Sequence, residues 1–253
     1  MTTEATLSVR TVGVVAPGIV RDAGVPEYPD VVAIPVRTGL VVPGDDIVET
    51  VVGAVRNIAH PGDVVAVSET AVAIAQGRLV PAEMIRPGRL AYALSRRAGA
   101  MATVNQPESL QLVIDRVGAW RVVQAAAAHV VGRLRGRRGD FYRVLGEAIS
   151  EIDGYTGTLP PFERTIVLGP EDPAGVAERI AGRTGCGAAI VDVNDLGIAK
   201  VLGCSSEVCK ERVAAALLSN PHGNGDEQTP IVVLAWRGDG EPALLQRSEA
   251  SKA

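Results

Sequence analysis

The chain has 253 residues, of which 47% are hydrophobic and only 3% are aromatic. This composition is enough for one large core or two modest ones, built mainly from aliphatic side chains as in α/β proteins. The formal net charge is −4, whereas nucleic-acid-binding proteins usually carry an excess of basic residues. The aromatic side chains on which single-stranded bases stack are also scarce. We therefore expect no nucleic-acid partner.

The cysteines, the apolar runs and the N-terminus indicate the cellular compartment in which the protein is expected. Cys186, Cys204 and Cys209 have neither the even number of a disulfide framework nor the spacing of a zinc site. No apolar run reaches the ~18 residues of a membrane span. The N-terminus MTTEATLSVR has no secretion-signal pattern. We expect reduced thiols, no membrane association and a cytoplasmic location.

The first elements alternate between strand and helix. The run VVAIPV at residues 31–36 predicts a strand. Asp45 or Asp46 can cap a helix over residues 47–60, whose apolar residues recur on one face. A Pro-Gly-Asp turn then leads into a second strand, VVAVS. The order strand, helix, strand favours an α/β fold.

The second half continues this pattern after a mainly helical region at residues 83–150. Asp172 and Pro173 predict the start of a helix that ends at Gly185, and an apolar strand follows it. Ser205 or Ser206 is predicted to cap a helix through residue 218, and IVVLAW forms the last strand.

Three polar loops are candidates for chemistry. They are residues 192–195 (DVND), 150–154 (SEIDG) and 222–229 (HGNGDEQT). Carboxylate and amide oxygens suit Mg²⁺ or Mn²⁺, and glycines let a backbone approach phosphates. If the loops converge, they make a metal–nucleotide site; by themselves they are also ordinary turn chemistry.

The arginine run, the nucleotide-binding motifs and the histidines give weaker indications of function. The arginine run Arg133, Arg135, Arg137 and Arg138 could attract a polyglutamate or a phosphodiester, although a solvated helix face is the commoner explanation. The chain has no GxxxxGK[ST] motif and no strand-linked GxGxxG motif. His60, His129 and His222 are too scattered for a zinc motif.

The order of five segments resembles a known family. The segments are IPVRTGLVVPGDD, GDVVAVSETAVAIAQGR, EIDGYTG, IVDVND and HGNGDEQTPIVV. Together they resemble the CofE-type ligases, which add glutamate through its amino group to the deazaflavin coenzyme factor 420. The chain is more similar still to a branch of γ-glutamate ligases assigned to folate metabolism. The likeness covers residues 31–237.

The resemblance implies an α/β fold in an intertwined homodimer. It divides the chain into an N-terminal extension (1–30), a ligase domain (31–240) that has one or two subdomains, and a flexible tail (241–253). It also implies that GTP or ATP, with Mg²⁺ or Mn²⁺, phosphorylates the carboxylate of a small acceptor such as a deazaflavin or a folate. The amine of L-glutamate then displaces the phosphate.

The resemblance also assigns residues to roles. It places Asp153 and Asp192 as catalytic metal ligands, with Asn224 as a third ligand. The nucleotide is assigned to Gly39, Leu40, Glu69, Thr70, Thr156, His222, Gly223, Gly225, Asp226 and Glu227.

Two positions depart from the family pattern. Ile74 replaces a lysine that contacts phosphate, which removes a charge-assisted bond worth roughly 1.5–3 kcal/mol. Val193 replaces a threonine of the metal site. The lost lysine leaves open a non-catalytic relative that binds a nucleotide or anion as a regulator. An amide ligase for a different amine or acid is a third alternative.

Overall fold

The computed structural model describes residues 10–11, 31–97, 105–137, 139–146, 152–153, 161–194, 197–223 and 228–236. The fold is a mixed α/β arrangement, which confirms the predicted fold class. The chain forms two compact units. The first comprises Met1–Gln76 with Glu171–Ala253, and the second comprises Gly77–Pro170. Most of the N-terminal extension and all of the tail lie outside the described residues, so those boundaries stay predictions.

The described strands in chain order are β1 (Arg10–Thr11), β2 (Val31–Val36), β3 (Val64–Ser68), β4 (Leu79–Pro81), β5 (Ile152–Asp153), β6 (Thr165–Leu168), β7 (Gly187–Asn194), β8 (Ile198–Cys204) and β9 (Ile231–Trp236). The described α-helices are α1 (Ile47–Val55), α2 (Glu69–Ala75), α3 (Arg89–Ser95), α4 (Pro107–Val117), α5 (Ala119–Leu134), α6 (Asp140–Leu145), α7 (Pro173–Thr184) and α8 (Lys210–Ala216). A 3₁₀ turn follows β4 at Ala82–Met84. None of these helices is long and apolar enough to cross a bilayer.

A six-stranded sheet organises the first unit, in the order β1-β2-β9-β3-β7-β8. Strands β3 and β7 run parallel, and the other neighbouring pairs run antiparallel. Strand β3 has a partner on each side and is buried along most of its length, which explains its uninterrupted apolar run.

Helices cover both faces of this sheet because strand side chains alternate between faces. Val65 and Val67 of β3 belong to a cluster that includes apolar residues of α1, α2 and α7. Val64 and Ala66 belong to the cluster on the opposite face, which includes Val213 of α8. The first unit is therefore a three-layer arrangement of helices, sheet and helix.

The predicted capping residues begin two of the helices. Asp46 accepts hydrogen bonds from the backbone N–H groups of Val48 (2.9 Å) and Glu49 (3.1 Å) at the start of α1. Asp172 accepts one from Gly175 N–H (3.0 Å) at the start of α7. Gly185 ends α7 with φ of 71°, in the left-handed region that favours glycine.

The predicted cap of the last helix is wrong. Helix α8 begins at Lys210 after Cys209, not after Ser205 or Ser206, and it ends at Ala216. The Ser205 hydroxyl accepts a hydrogen bond from Ala188 N–H (3.0 Å), so it holds β7 rather than a helix end. Ser206 N–H donates to the Glu178 carboxylate (2.7 Å) of α7. Because Ser205 and Ser206 form these hydrogen bonds with β7 and α7, neither residue caps α8.

The second unit is mainly helical, as predicted for residues 83–150 where they are described. Its small antiparallel sheet has the order β4-β6-β5. The core joins Leu110 and Val113 of α4, Val122 and Ala125 of α5, and Ile166 of β6. The three short strands were not predicted, because each has only two to four residues.

Candidate functional site

The register of the large sheet brings several predicted segments to one end of the first unit. Ser68, the last residue of β3, pairs with Val191 of the parallel strand β7. Glu69 and Thr70 therefore follow β3 at the same end at which Asp192 follows Val191. Parallel strands place their carboxyl ends together, which is where α/β sheets commonly bind ligands.

The antiparallel strands bring two further segments to this end. Ser68 N–H donates to the carbonyl of Pro230 (2.8 Å), just before β9 begins. Thr38 N–H, just after β2, donates to the carbonyl of Gln228 (3.2 Å). Backbone hydrogen bonds thus connect the loop before β9 to the segment after β2 and to the end of β3.

The structure therefore gathers many of the predicted residues and leaves others undecided. Those that it places at this end of the sheet are Gly39, Leu40, Glu69, Thr70, Asp192, His222 and Gly223. Asp153 is the last residue of β5 in the second unit, where only its backbone is described. The residues that lie outside the described ranges are Thr156, Asn224, Gly225, Asp226 and Glu227. Their roles stay predictions.

Asp192 is a half-buried carboxylate on β7. Burial raises the pKa of Asp192 above its usual range, and the positive charge of Lys200 acts in the opposite direction. A desolvated carboxylate is stabilised in its ionised form by a nearby cation. Asp192 is therefore in a suitable environment for a positively charged ligand.

Lys200 lies directly opposite Asp192 in the register of β7 and β8. Residues that face each other across an antiparallel pair project from the same face of the sheet. Sequence reasoning missed Lys200, because its position depends on the register of a hairpin that was not predicted. The side chain is exposed, so its ammonium group is accessible to an anion.

His222 holds the base of the loop before β9. Its Nδ1 lies 3.1 Å from the carbonyl oxygen of Thr229, and the Thr229 hydroxyl donates to the carbonyl of His222. Because a carbonyl only accepts, Nδ1 carries the proton of the neutral ring. Burial lowers the pKa of His222 to about 4, so the ring is neutral at pH 7.

The other ring nitrogen of His222 has a free lone pair. Nε2 is buried and has no hydrogen-bond partner within the part of the chain that the structure describes. A buried acceptor without a donor is costly, so such groups in native proteins call for an explanation. A donor on a bound ligand would satisfy Nε2.

Comparison with known families shows which family the chain belongs to. A family model described as F420-0:gamma-glutamyl ligase matches residues 35–195, more than half of the 253 residues. The chain belongs to this γ-glutamyl ligase family. Membership supports a ligase activity. No curated protein matches the chain. The matched region begins in β2 and ends just beyond Asp192, so it includes most of the segments gathered at the end of the sheet.

The segment that departs from the family pattern has a structural role in this γ-glutamyl ligase relative. Ile74 of α2 packs against the core cluster under the sheet. The Gln76 side chain donates to the carbonyl of Glu171 (2.9 Å) and accepts from its N–H (2.7 Å). The side chain of Arg78, within the second unit, donates to the carbonyl of Gly169. At this segment, where the resemblance implies a lysine, the side chains pack against the core and form hydrogen bonds with backbone groups.

The described residues do not by themselves make up a metal site. They include no group of three His, Cys, Asp or Glu side chains arranged to hold an ion. Asp192 fits one position, because its oxygen is a hard ligand and its ionised form gains from a cation. The other predicted ligands are Asn224, outside the described residues, and Asp153, described only by its backbone.

Proposed function

We propose that the chain is an NTP- and divalent-metal-dependent γ-glutamyl ligase that acts through an acyl phosphate on a small carboxylate acceptor. A deazaflavin coenzyme or a folate is the candidate acceptor. One observation carries the proposal: the sheet of a γ-glutamyl ligase family member gathers Glu69, Thr70, Asp192 and the base of the 222–229 loop at one end.

The proposed reaction has two transfers. A carboxylate oxygen of the acceptor attacks the γ-phosphorus of the nucleotide, and the bond from that phosphorus to the bridging oxygen breaks, which yields an acyl phosphate and a nucleoside diphosphate. The amine of glutamate then attacks the acyl carbon, phosphate leaves and the amine loses a proton. The protein contributes position and charge neutralisation, which are the main sources of rate in phosphoryl transfer.

In this proposal Asp192 holds Mg²⁺ or Mn²⁺, which would neutralise charge on the phosphates when bound. Lys200, in register beside Asp192, faces the same phosphates with its ammonium group. The Nε2 atom of His222 accepts a hydrogen bond from a ligand. The roles of Asp153 and Asn224 as further metal ligands remain part of the proposal.

Mass spectrometry of complete reactions tests the function. The reactions contain GTP or ATP, Mg²⁺ or Mn²⁺, glutamate or another amine, and deazaflavin, folate and simpler acceptors in turn. We expect a product heavier by one glutamyl residue, formed only with nucleotide and metal. Asp192→Asn should lower the rate at least about 100-fold, because a positioned metal contributes several kcal/mol to charge stabilisation.

The matched control is Glu207→Gln, which removes an exposed carboxylate after β8 in the same unit. It should retain the rate of the parent protein. Turnover that survives Asp192→Asn unchanged contradicts the metal assignment. A product that carries a different amine would support the third alternative, a ligase unrelated to glutamate.

The packing of Ile74 favours a second candidate, a non-catalytic relative that binds a nucleotide or an anion as a regulator. The charge that the family places at this position is replaced by a side chain that packs against the core. Calorimetry with GTP, ATP and Mn²⁺ separates the candidates when it is combined with the turnover assay. Tight binding without turnover across the acceptor panel would support the regulator.

A further inference from the structure

Two of the three cysteines of the chain lie on either side of the turn that joins β8 to α8. Cys204 is the last residue of β8, and Cys209 immediately precedes Lys210, the first residue of α8. All three cysteines are free thiols; Cys204 and Cys209 are partly exposed, whereas Cys186 is buried. The proposed ligase reaction uses none of these thiols.

The side chain of Cys204 points across the turn toward Cys209. Its Sγ donates to the carbonyl oxygen of Val208 (3.6 Å), and that carbonyl belongs to the peptide bond that links Val208 to Cys209. Bond geometry therefore places the Cys204 sulfur within roughly 6–7 Å of the Cys209 Cα atom. Rotation of the Cys209 side chain about χ1 can turn its sulfur toward Cys204, and a modest shift of the turn then suffices for a disulfide bond.

The charges around the two thiols agree with this proximity. The Sγ atom of Cys209 donates to Oε2 of Glu211 (3.3 Å). Burial is the largest cause that raises the pKa of Cys204; Lys210 opposes it, and Glu178, Glu211 and Cys209 raise the pKa further. Both thiols therefore interact with the carboxylate of Glu211, and each lies within the electrostatic reach of the other.

The turn between the two cysteines is held in place by contacts at both of its ends. The Ser205 backbone N–H donates to the carbonyl of Ala188 (2.9 Å), and the Ser205 hydroxyl accepts from the N–H of the same residue (3.0 Å). Val208 N–H donates to the carbonyl of Ser205 (3.0 Å), and the Val208 side chain is buried in the core cluster. Groups that a fold holds near each other react at a high effective concentration.

We propose that Cys204 and Cys209 form a reversible intramolecular disulfide by exchange with a low-molecular-weight disulfide such as oxidised glutathione. The thiolate of Cys209 attacks one sulfur of this compound, the S–S bond of the compound breaks and one reduced thiol leaves. Cys204 then loses its proton and attacks Sγ of Cys209, which expels the second reduced thiol. Two electrons and two protons pass from the protein to the compound, which is reduced to two thiols.

The order of attack follows from the surroundings of the thiols. The thiolate is the reactive form of a cysteine, and burial and negative neighbours disfavour it at Cys204. Cys204 is therefore the residue that resolves the mixed disulfide formed on Cys209. Cys186 takes no part, because it is buried, its thiol donates to the carbonyl of His60 (3.3 Å), and burial raises its pKa.

Peptide mapping of the full chain after incubation with oxidised glutathione tests the proposal. Trypsin cleaves after Lys and Arg, so Cys204 and Cys209 occur together in the peptide 201–210, and Cys186 occurs in the peptide 184–200. The remaining thiols are alkylated in denaturant before digestion. We expect the peptide 201–210 to lose two hydrogens and to carry no alkyl group, while Cys186 is alkylated. Treatment with dithiothreitol should restore two alkylated cysteines in the peptide 201–210.

Single variants test the order of attack. Cys204→Ser should stop at a glutathione adduct on Cys209, because no second thiol resolves it. Cys209→Ser should react at least about tenfold more slowly than the parent protein, because the thiolate of Cys204 is disfavoured. Cys186→Ala is the matched control and should form the disulfide as the parent protein does. Circular dichroism shows whether each variant retains the fold.

The parent protein alone is sufficient to contradict the proposal, since the two peptides separate Cys186 from the pair without any substitution. The proposal is overturned by two glutathione adducts in the peptide 201–210, by a disulfide that includes Cys186, or by a peptide 201–210 that stays fully alkylated. None of these outcomes depends on ligase activity.

Discussion

At the residue scale, burial acts in opposite directions on the two titratable side chains at the end of the sheet. It raises the pKa of Asp192 and lowers the pKa of His222, so in both cases it disfavours the charged form. Titratable groups whose pKa values are shifted by burial are more common at ligand sites than elsewhere in a protein. The two pKa shifts therefore favour a ligand site at this end of the sheet.

The first prediction concerns Asp192 without ligands. Because the pKa of Asp192 is raised in the folded chain, the ionised form costs stability at pH 7, and that cost disappears as the pH falls through the pKa. Asp192→Asn should therefore raise the free energy of unfolding at pH 7 while it removes activity. Urea unfolding of both proteins measures the difference.

A double-mutant cycle with Lys200 serves as the control. Lys200→Met should destabilise the parent protein, because Lys200 is the positive charge that opposes the raised pKa. It should have a smaller effect in the Asp192→Asn background, where no charge remains to be balanced. Equal effects in the two backgrounds would show that the pair does not interact.

The second prediction concerns His222. Its pKa falls from 6.5 to about 4 on folding, so the unfolded chain binds the proton more readily between these values. Stability is then complete above pH 6.5 and is lost as the pH falls toward 4. The loss from this group amounts to about 2 kcal/mol between pH 7.5 and pH 5.

Unfolding measured at several pH values isolates this loss. His222→Asn keeps a donor toward the Thr229 carbonyl and removes the titration, so its stability should fall less between pH 7.5 and pH 5. His129→Gln, at an exposed position of α5, should behave like the parent protein. Parallel curves for the parent and His222→Asn would contradict the prediction.

At the element scale, local patterns predicted the long elements and missed those that tertiary contacts determine. The strands at 31–36, 64–68 and 231–236 are apolar runs, and Asp46 and Asp172 cap their helices as expected. Strand β8 was missed because it is an edge strand with exposed residues such as Ile198. Its hairpin became visible only from its register with β7.

The third prediction concerns the contact between β8 and α7. A Cβ on Gly203 would come within 2.6 Å of the Pro173 carbonyl carbon and still closer to the backbone nitrogen of Ala174. Backbone cannot move aside as a flexible side chain can. Gly203→Ala should therefore lower the free energy of unfolding by more than about 2 kcal/mol.

Gly182→Ala is the matched control within α7. Gly182 is exposed, and an added Cβ there would meet no heavy atom within 4 Å. Alanine favours the helix by up to about 1 kcal/mol over glycine, so this variant should be more stable than the parent protein. Chemical denaturation followed by circular dichroism compares the two. A tolerated Gly203→Ala would mean that β8 and α7 are less closely packed than the structure indicates.

At the scale of the whole molecule, the sequence predicted which loops carry polar groups but not which of them meet. The segments after β2, β3 and β7 and the loop before β9 are up to 190 residues apart, and only the sheet order β2-β9-β3-β7 brings their ends together. That order depends on non-local pairing, which local patterns do not encode. Asp153 lies in the other compact unit, so its predicted pairing with Asp192 stays a prediction.

The fourth prediction joins ligand binding to the stability of the whole chain. A ligand that binds only the folded state raises its free energy of unfolding by about 2.7 kcal/mol at one hundred times its dissociation constant. GTP or ATP with Mn²⁺ should therefore raise the melting temperature of the parent protein and of Glu207→Gln. Asp192→Asn should be more stable than the parent protein without ligand, but its melting temperature should rise much less when nucleotide and Mn²⁺ are added. The reason is that the metal, which binds the phosphates, loses the carboxylate of Asp192 as a ligand. Asp192→Asn should thus be more stable than the parent protein without ligand and less stabilised by nucleotide. A carboxylate that only supports the fold would not give this combination, because its removal would destabilise the free protein. An equal rise in Asp192→Asn would place the metal and the phosphates elsewhere, and a rise without turnover in the parent protein would favour the regulatory relative over the ligase.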